Sequence, residues 1–292
     1  MTSMTDFCKL HYLTAGNSSS PAVAFLHGFL GCGSDWEEII AVLSKDFYCV
    51  TLDLPGHGQT KRNSNPDAYS IKGTAKALQA TLDKLGIAQC ALVGYSMGGR
   101  LALYLAIMHP RRWTRIVTES ASPGIEGVAE RAERQKLDNK RAEELKRGDF
   151  EGFLQSWYQQ PLFESLKRDR ARFDRLLERR RSNNPMELAK SLKGMSAGIQ
   201  PSLWSSLPQL EIPLLVVTGE HDVKYQALAK EMARLCKTAS LATVADAGHN
   251  AHTEKPAQYA QQLRQFLRGK TEVNDEKDRV ERSRQIHRHQ IP

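Results

Sequence analysis

The sequence predicts an α/β protein in which helices flank a mostly parallel sheet and one helical insertion interrupts it. Short apolar runs alternate with helix-like patterns over the first 120 residues, and this alternation returns after about residue 200. Continuous apolar runs are typical of strands buried on both faces. We therefore expect a core formed by residues 1–123 and 201–269, with a helical cap, or lid, over 124–200. Residues 270–292 contain almost no apolar side chains, and we expect them to be disordered.

The elements of the core follow from these runs in chain order. The predicted strands are 22–28, 47–56, 90–96, 115–120, 213–222 and 240–249. The predicted core helices are 35–45, 70–86, 98–110, 224–237 and a closing helix that ends near residue 268. The insertion "ERAERQKLDNKRAEELKRGDFEGFLQSWYQQPLF" is helical in pattern and highly charged.

Composition excludes several classes of protein. No apolar run approaches the roughly 18 residues that a membrane span needs, and the N-terminus lacks the basic and apolar regions of a secretory signal. Five cysteines are scattered along the chain without metal-ligand spacing. These features predict a cytoplasmic protein with reduced thiols, no metal and no membrane contact. They do not indicate an oligomeric state.

The formal net charge of +8 raises the question of a nucleic-acid ligand. The basic residues are interspersed with acidic ones, and no zinc-finger spacing, helix-turn-helix signature or RNA-binding aromatic motif is present. The charge pattern therefore disfavours nucleic acid, and a small acidic substrate accounts for the same excess of positive charge.

The stretch "ALVGYSMGGR" contains the pattern G-x-S-x-G between a predicted strand and a predicted helix. A serine in this context lies on a sharp turn above the sheet edge, where its hydroxyl is available as a nucleophile. The alternative is a glycine-rich turn with an incidental serine. The strand before it and the helix after it favour a catalytic Ser96.

A catalytic serine needs a base, and the base needs an acid that orients it. In this topology both should follow in chain order, acid before histidine, each at the carboxyl end of a strand. Asp222 and His249 fit this order. Three other residues remain as alternatives, each less well placed in the chain. They are Asp246 as the acid, His252 as the base, and His221, which neighbours Asp222.

An anionic intermediate also needs hydrogen-bond donors. The turn "LHGFLG" after the first long strand is predicted to direct the Phe29 N–H at the site, and the Met97 N–H at the start of a helix is the second expected donor. We expect His27 and His57, which lie in neighbouring turns, to have structural roles. Together these motifs resemble the α/β-hydrolase superfamily, which includes many reactions.

Arginines narrow the substrate class. Arg100 lies one helical turn after Ser96, where a cation faces the positive end of the helix dipole and is unfavourable unless an anion lies nearby. The insertion adds Arg131, Arg134 and the run "RRRSNNP" at 179–185. Arginines bind carboxylates in bidentate fashion, so several of them around one serine favour a substrate with several carboxylates. A surface ion pair is the alternative explanation for Arg100.

Several motifs together resemble the 2-succinyl-6-hydroxy-2,4-cyclohexadiene-1-carboxylate synthase family of menaquinone and phylloquinone biosynthesis. The segments that carry the resemblance are LHGFLG, DLPGHG, GYSMGGR, AERAERQ, WYQQPLF, RSNNP and AGHNAH. They run from about residue 22 to about residue 268, and the pair WYQQPLF and RSNNP is the most distinctive.

The resemblance implies a lyase that eliminates pyruvate from a small tricarboxylate without a metal or an organic cofactor. It implies a triad of Ser96, Asp222 and His249, with Ser96 acting as a base and forming no acyl-enzyme. It also implies that Phe29 and Met97 form the oxyanion hole. The expected substrate-binding residues are Arg100, Arg134, Arg181, Tyr95 and Trp157.

Two other functions remain open at this point. One is a hydrolase of the same fold that cleaves an ester, thioester or C–C bond of an acidic small molecule. The other is a non-catalytic binding protein of this fold, which the joint presence of serine, acid and histidine disfavours.

Overall fold

Seven strands form one sheet in the computed structural model, which describes residues 8–269. They are Tyr12–Ala15 (β1), Ala22–Leu26 (β2), Tyr48–Leu52 (β3), Cys90–Tyr95 (β4), Trp113–Glu119 (β5), Leu214–Gly219 (β6) and Ala239–Val244 (β7). Their order is β1-β3-β2-β4-β5-β6-β7, and all neighbours are parallel except the antiparallel pair of β1 and β3. The predicted α/β fold with a mostly parallel sheet is confirmed. The predicted tail 270–292 lies outside the described residues.

The first strand of this sheet is not predicted by the sequence. β1 is four residues long, pairs along one side only, and has the mixed sequence YLTA with partly exposed side chains. Because it covers the edge of the sheet, it needs no continuous apolar run. Its position beside β3 leaves the carboxyl ends of the six parallel strands at one edge of the sheet.

Helices cover both faces of the sheet. The helices of the core are Glu37–Leu43 (α1), Ile71–Lys84 (α2), Met97–Met108 (α3), Val223–Leu235 (α8), Ala251–Glu254 (α9) and Pro256–Leu267 (α10). Leu78, Leu101 and Met232 from α2, α3 and α8 belong to the apolar cluster on one face. Ile39 and Leu263 from α1 and α10 belong to the cluster on the other. Two apolar layers therefore enclose the sheet.

Between β5 and β6 the described chain forms helices and short turns without a strand. The helices are Val128–Lys146 (α4), Phe150–Tyr158 (α5), Arg170–Arg181 (α6) and Pro185–Gly194 (α7). Their buried apolar side chains, such as Leu145, Leu154 and Leu176, form a third cluster. Leu30, from the loop after β2, belongs to the same cluster and links this segment to the sheet. That residues 124–200 act as a lid domain stays a prediction.

Helix α3 packs unusually closely against the strands. A Cβ on Gly98 would lie 2.4 Å from the Leu26 carbonyl oxygen, and one on Gly94 would lie 2.3 Å from the Gly98 carbonyl oxygen. Both contacts are with backbone, which cannot move aside as a flexible side chain does. The glycines therefore allow the start of α3 to lie directly on the ends of β2 and β4.

Replacing Gly98 by alanine should destabilise the fold by about 3 kcal/mol, because the added methyl group meets backbone oxygens. Urea unfolding followed by circular dichroism measures the change. Gly127→Ala is the matched control, since its Cβ would meet the flexible side chain of Glu130. Equal stability of the two variants would contradict the close-packing argument.

Candidate active site

Ser96 lies on a strained turn between β4 and α3. Its backbone has φ 48° and ψ −104°, in a region that non-glycine residues rarely adopt. The Ser96 N–H donates to the carbonyl oxygen of Glu119 at 2.8 Å, which joins the turn to the end of β5. Backbone strain of this kind is typical of functional sites, and it holds the serine above the carboxyl edge of the sheet.

The structure brings Ser96, His249 and Asp222 together. His249 Nδ1 lies 2.8 Å from Asp222 Oδ2, and His249 Nε2 lies 3.4 Å from Ser96 Oγ. Asp222 and His249 are buried, while Ser96 is half-buried. An acid on one ring nitrogen and a hydroxyl on the other is the arrangement in which histidine removes a proton from serine.

Both partners of Ser96 lie in loops rather than on strands, which corrects the predicted strand ends. β6 ends at Gly219 and β7 at Val244, so Asp222 lies three residues, and His249 five residues, beyond its strand. Asp246 has φ 51°, which turns the chain out of the strand direction, and the Asp222 N–H closes a turn onto the Gly219 carbonyl. The apolar pattern continues into both turns, so the sequence makes the strands look longer.

The alternative acid and bases have other partners. Asp246 pairs with Arg168 and Lys255 at the surface, and its carboxylate also lies 3.3 Å from His221. His252 is buried, with its Nδ1 2.7 Å from a carboxylate oxygen of Glu119. These contacts leave His249 as the histidine that faces Ser96.

Glu119 is a buried acid that sequence reasoning missed. Besides the ring of His252, its carboxylate accepts the His252 backbone N–H at 3.1 Å, and its carbonyl oxygen accepts the Ser96 N–H. It therefore ties the loop of His249 to the turn of Ser96. The signal was present in the sequence as a carboxylate that ends the apolar run "RIVTE", since buried acids are rare unless they are paired.

The two expected oxyanion donors, Phe29 and Met97, line one cavity with Ser96. Met97 is the first residue of α3, where a backbone N–H has no acceptor within the helix. The ring of Phe29 packs 4.9 Å from that of Trp157. Both residues are thus in a position to direct an N–H at the cavity beside Ser96.

His27 and His57 are structural, as predicted. The His27 Nε2 accepts the Leu54 N–H at 2.9 Å, so its Nδ1 carries the proton and donates to the Gly28 carbonyl at 2.7 Å. His57 Nδ1 lies 3.2 Å from the Pro55 carbonyl. Burial lowers the pKa of both imidazoles, and it lowers that of His57 well below the usual value. Both rings therefore stay neutral and brace the turns in which they lie.

A cavity of about 620 Å³ lies beside Ser96, between the sheet edge and the inserted helices. Its lining includes the predicted residues Arg100, Arg134 and Trp157. It also includes residues that sequence reasoning missed, namely Trp204, Lys224 and Tyr225 and the acids Glu126, Glu130 and Asp138. The ring of Tyr225 lies 4.7 Å from that of His249. Nothing in the amphipathic pattern of α8 distinguishes Tyr225, because its position depends on how that helix packs.

Arg100 is a buried cation held by neutral acceptors. Its Nη1 donates to Gln200 Oε1 at 2.6 Å and its Nη2 to the Met195 carbonyl at 2.7 Å. Burial, together with the nearby charge of Arg134, lowers the pKa of Arg100 to about 10. Among residues 8–269, no carboxylate lies within ion-pair distance of this guanidinium. Because its charge is not compensated, Arg100 favours an anion in the cavity.

Arg134 differs from Arg100 in having an acidic partner. Its Nε donates to Asp138 Oδ2 at 2.8 Å, and the same oxygen accepts from Ser196 Oγ at 2.7 Å. Asp138 is fully buried, so this pair orients the guanidinium along α4 toward the cavity. Part of the charge of Arg134 is thereby neutralised by the protein itself.

Two predicted substrate contacts are wrong in this structure. Arg181 is exposed and pairs with Glu151 at 2.8 Å and with Glu178 at 3.1 Å, outside the cavity. It lies at the end of α6, where the buried arginine is its neighbour Arg180. Tyr95 lies behind the site instead of lining it. Its ring packs against Gly28, where an added Cβ would be 2.6 Å away, and 5.5 Å from the ring of His249.

Two further findings describe the rest of the molecule. No group of three or more His, Cys, Asp or Glu side chains within residues 8–269 is placed to hold a metal ion. None of the helices in that range combines the length and apolar character needed to cross a membrane.

The site and the sheet define the class of protein. Residues 21–256 match the family model of the alpha/beta hydrolase fold. The enol-lactonase from Burkholderia xenovorans LB400 is 22% identical and has a TM-score of 0.77, with 88% of this chain and 96% of that chain covered. At that identity the likeness shows the fold alone.

More similar relatives narrow the class. The 2-succinyl-6-hydroxy-2,4-cyclohexadiene-1-carboxylate synthase of Escherichia coli O1:K1 / APEC is 36% identical over 253 residues, covering 87% of this chain and 96% of that protein. Protein PHYLLO, chloroplastic, of Arabidopsis thaliana is 31% identical over 298 residues, which cover 97% of this chain and 17% of PHYLLO. The structure of MenH from S. aureus has a TM-score of 0.83 at 32% identity and covers 89% of this chain and 98% of that chain. The chain belongs to the 2-succinyl-6-hydroxy-2,4-cyclohexadiene-1-carboxylate synthase family.

Replacing Gln200 by glutamate should weaken the binding of small dicarboxylates at least tenfold. The new carboxylate keeps the acceptor for Arg100 but neutralises its charge, and tenfold corresponds to about 1.4 kcal/mol, within the range of one charge-assisted hydrogen bond. The measurement is isothermal titration calorimetry with succinate. Gln261→Glu introduces the same charge at an exposed position and serves as the control. If both variants bind succinate equally well, Arg100 is not the anion site.

Proposed function

We propose that this protein eliminates pyruvate from 2-succinyl-5-enolpyruvyl-6-hydroxy-3-cyclohexene-1-carboxylate. The product is 2-succinyl-6-hydroxy-2,4-cyclohexadiene-1-carboxylate, an intermediate of menaquinone or phylloquinone biosynthesis. The observation that carries the proposal is 36% identity to synthases of this family along almost their whole length. The geometry of the cavity supports it independently, because a cation without an acidic partner lies beside a serine–histidine pair.

The reaction is a proton removal followed by the loss of a leaving group. The ring carbon that bears the succinyl group loses its proton, the ring double bond shifts by one position, and the bond from the ring to the enolpyruvyl oxygen breaks. The released enolpyruvate takes up a proton and becomes pyruvate. One substrate therefore gives one diene and one pyruvate, with no net redox change and no water consumed.

Ser96 and His249 perform the proton removal in this proposal. His249 Nε2, at 3.4 Å from Ser96 Oγ, takes the serine proton while the serine oxygen takes the ring proton. Asp222, at 2.8 Å from Nδ1, orients the imidazole and stabilises its positive charge. Ser96 thus acts as a base and forms no bond to carbon.

The proton to be removed lies next to the succinyl carbonyl, so negative charge develops on that carbonyl oxygen. We assign its stabilisation to the N–H groups of Phe29 and Met97, which line the cavity beside Ser96. Fixed donors aimed at developing charge are usually the largest electrostatic contribution to such a step. The same two groups serve a tetrahedral oxyanion in hydrolases, so they fit both kinds of chemistry.

The substrate carries three carboxylates, and the cavity offers cations to hold them. Arg100, Arg134 and Lys224 line it, and Arg100 is the one without an acidic partner. The ring of Trp157 completes the wall opposite the sheet, where it packs on Phe29. We propose that Arg100 binds a carboxylate close to the proton that Ser96 removes.

We also propose a reducing, cytoplasm-like location. All five cysteines are free thiols, and four of them are buried. Burial raises the pKa of Cys49 and of Cys90 to about 12 each, which keeps both thiols protonated and unreactive. Such cysteines behave as small apolar side chains, as is usual in the cytosol.

Turnover with the enolpyruvyl cyclohexene substrate is the direct test. We expect pyruvate and diene in equal amounts, with pyruvate followed by a coupled dehydrogenase and the diene by its absorbance. Ser96→Ala should reduce kcat at least a hundredfold, because the base is lost. Ser64→Ala, at an exposed serine, is the matched control. Absence of pyruvate from the wild-type reaction would overturn the proposal.

The elimination also predicts that no covalent intermediate forms on Ser96. Intact-protein mass spectrometry during steady-state turnover should show the unmodified mass. The hydrolase alternative, which the triad geometry by itself fits equally well, predicts an acyl-enzyme. A substrate-derived mass increase on wild type that is absent in Ser96→Ala would favour that alternative.

A further inference from the structure

The end of α6 contacts the loop that carries Phe29. Arg180 is almost completely buried, with its Nη1 donating to Asp35 Oδ1 at 2.8 Å and its Nε to the Tyr158 hydroxyl at 3.1 Å. Burial by itself would raise the pKa of Asp35, but the charge and hydrogen bond of Arg180 hold it below the usual value. Asp35 therefore stays ionised, and its other oxygen accepts the Cys32 N–H at 3.2 Å.

Asn183 follows α6 and holds the same loop at a second point. Its Nδ2 donates to the Leu30 carbonyl at 2.9 Å, and its Oδ1 accepts the Gly58 N–H at 3.0 Å. Asn183 and Leu30 are both buried, so water does not compete for these hydrogen bonds. The inserted segment thus contacts the loop through one ion pair and one amide.

The loop needs such support because Leu30 adopts φ 68°. The Gly31 N–H donates to the Gly28 carbonyl at 3.0 Å, so residues 28–31 form a turn with a left-handed third residue. That is the position of a type II turn which glycine normally occupies. A leucine there is strained, and the turn persists only if its surroundings hold it.

The turn sets the direction of the Phe29 N–H. The Gly28 carbonyl accepts from Gly31 N–H and from His27 Nδ1, at 3.0 and 2.7 Å. Since a peptide unit is planar and trans, fixing the Gly28 carbonyl also fixes the Phe29 N–H on the opposite side of the same peptide. Phe29 lines the cavity beside Ser96. A chain of contacts therefore runs from Asn183 through the carbonyl of Leu30 to the Phe29 N–H.

We propose that Asn183 and Arg180 are positioning residues for the oxyanion donor Phe29. They hold the strained turn 28–31 from the inserted helices and do not contact the substrate. The motif "RRRSNNP" would then act on catalysis through the loop after β2. This inference rests on the proposed function, because it assigns the Phe29 N–H to the developing oxyanion.

Asn183→Asp isolates the contact to Leu30. The aspartate keeps an oxygen for the Gly58 N–H, but it places an acceptor against the Leu30 carbonyl where a donor is needed. We expect kcat to fall at least tenfold and KM to change less than twofold, because the residues lining the cavity are untouched. Wild-type turnover is measured first, since its failure overturns the proposed function. Normal wild-type turnover with an unchanged kcat in Asn183→Asp overturns the positioning role alone.

A double-mutant cycle with Leu30→Gly separates positioning from a general structural effect. Glycine adopts the left-handed conformation without strain, so the turn no longer depends on Asn183. In the Leu30→Gly background, we expect Asn183→Asp to lower kcat less than threefold. Equal losses in both backgrounds would contradict the proposal, because independent structural damage is additive.

Arg180→Lys provides a second test that does not require the cycle to fold. Lysine keeps a charge toward Asp35 but loses the geometry of the guanidinium, so kcat should fall several-fold at a nearly constant KM. Arg170→Lys, on the exposed face of the same helix, is the control. An unchanged kcat in Arg180→Lys, or a rise in KM without a fall in kcat, would exclude a positioning role for Arg180.

Discussion

The close contact between the start of α3 and the ends of β2 and β4 is the constraint on which the site depends. Gly94 and Gly98 allow backbone to meet backbone there, and Ser96 takes a strained conformation as a result. The serine is then presented at the carboxyl edge of the sheet with the N-terminus of α3 beneath it. Without this contact the Met97 N–H and the Ser96 hydroxyl would not converge on one cavity, whatever the other residues did.

Most of the fold and the catalytic triad could be predicted because they follow from local patterns. Apolar runs indicated the six parallel strands, and the carboxyl ends of parallel strands meet at one edge, so Asp222 and His249 had to lie near Ser96. The arginines could not be sorted in this way. Three consecutive arginines end α6, and sequence does not show which one faces inward. Asp35, which lies 145 residues away in the chain, binds Arg180 and leaves Arg181 at the surface.

The two arginines of the cavity show how the protein divides binding from structure. Arg134 is partly neutralised by the buried Asp138, a pair that fixes its orientation. Arg100 is held by an amide oxygen and a backbone carbonyl, which orient it equally well and leave its charge available. A buried charge without a counterion costs free energy, and an anionic ligand offsets that cost when it binds. The least compensated charge in the cavity is thus expected to select the substrate.

The same triad supports hydrolysis in some members of this fold and elimination in others, so the difference must come from what lies around it. A serine oxygen activated by histidine can attack a carbonyl carbon or remove a proton, depending on which atom the cavity places next to it. Donors fixed by the turn 28–31 stabilise an oxyanion formed by either route. An arginine one helical turn beyond the serine favours a carboxylate there. With that carboxylate held in place, the acidic C–H beside the succinyl carbonyl is the group that meets Ser96, and proton removal is favoured over attack on the carbonyl carbon.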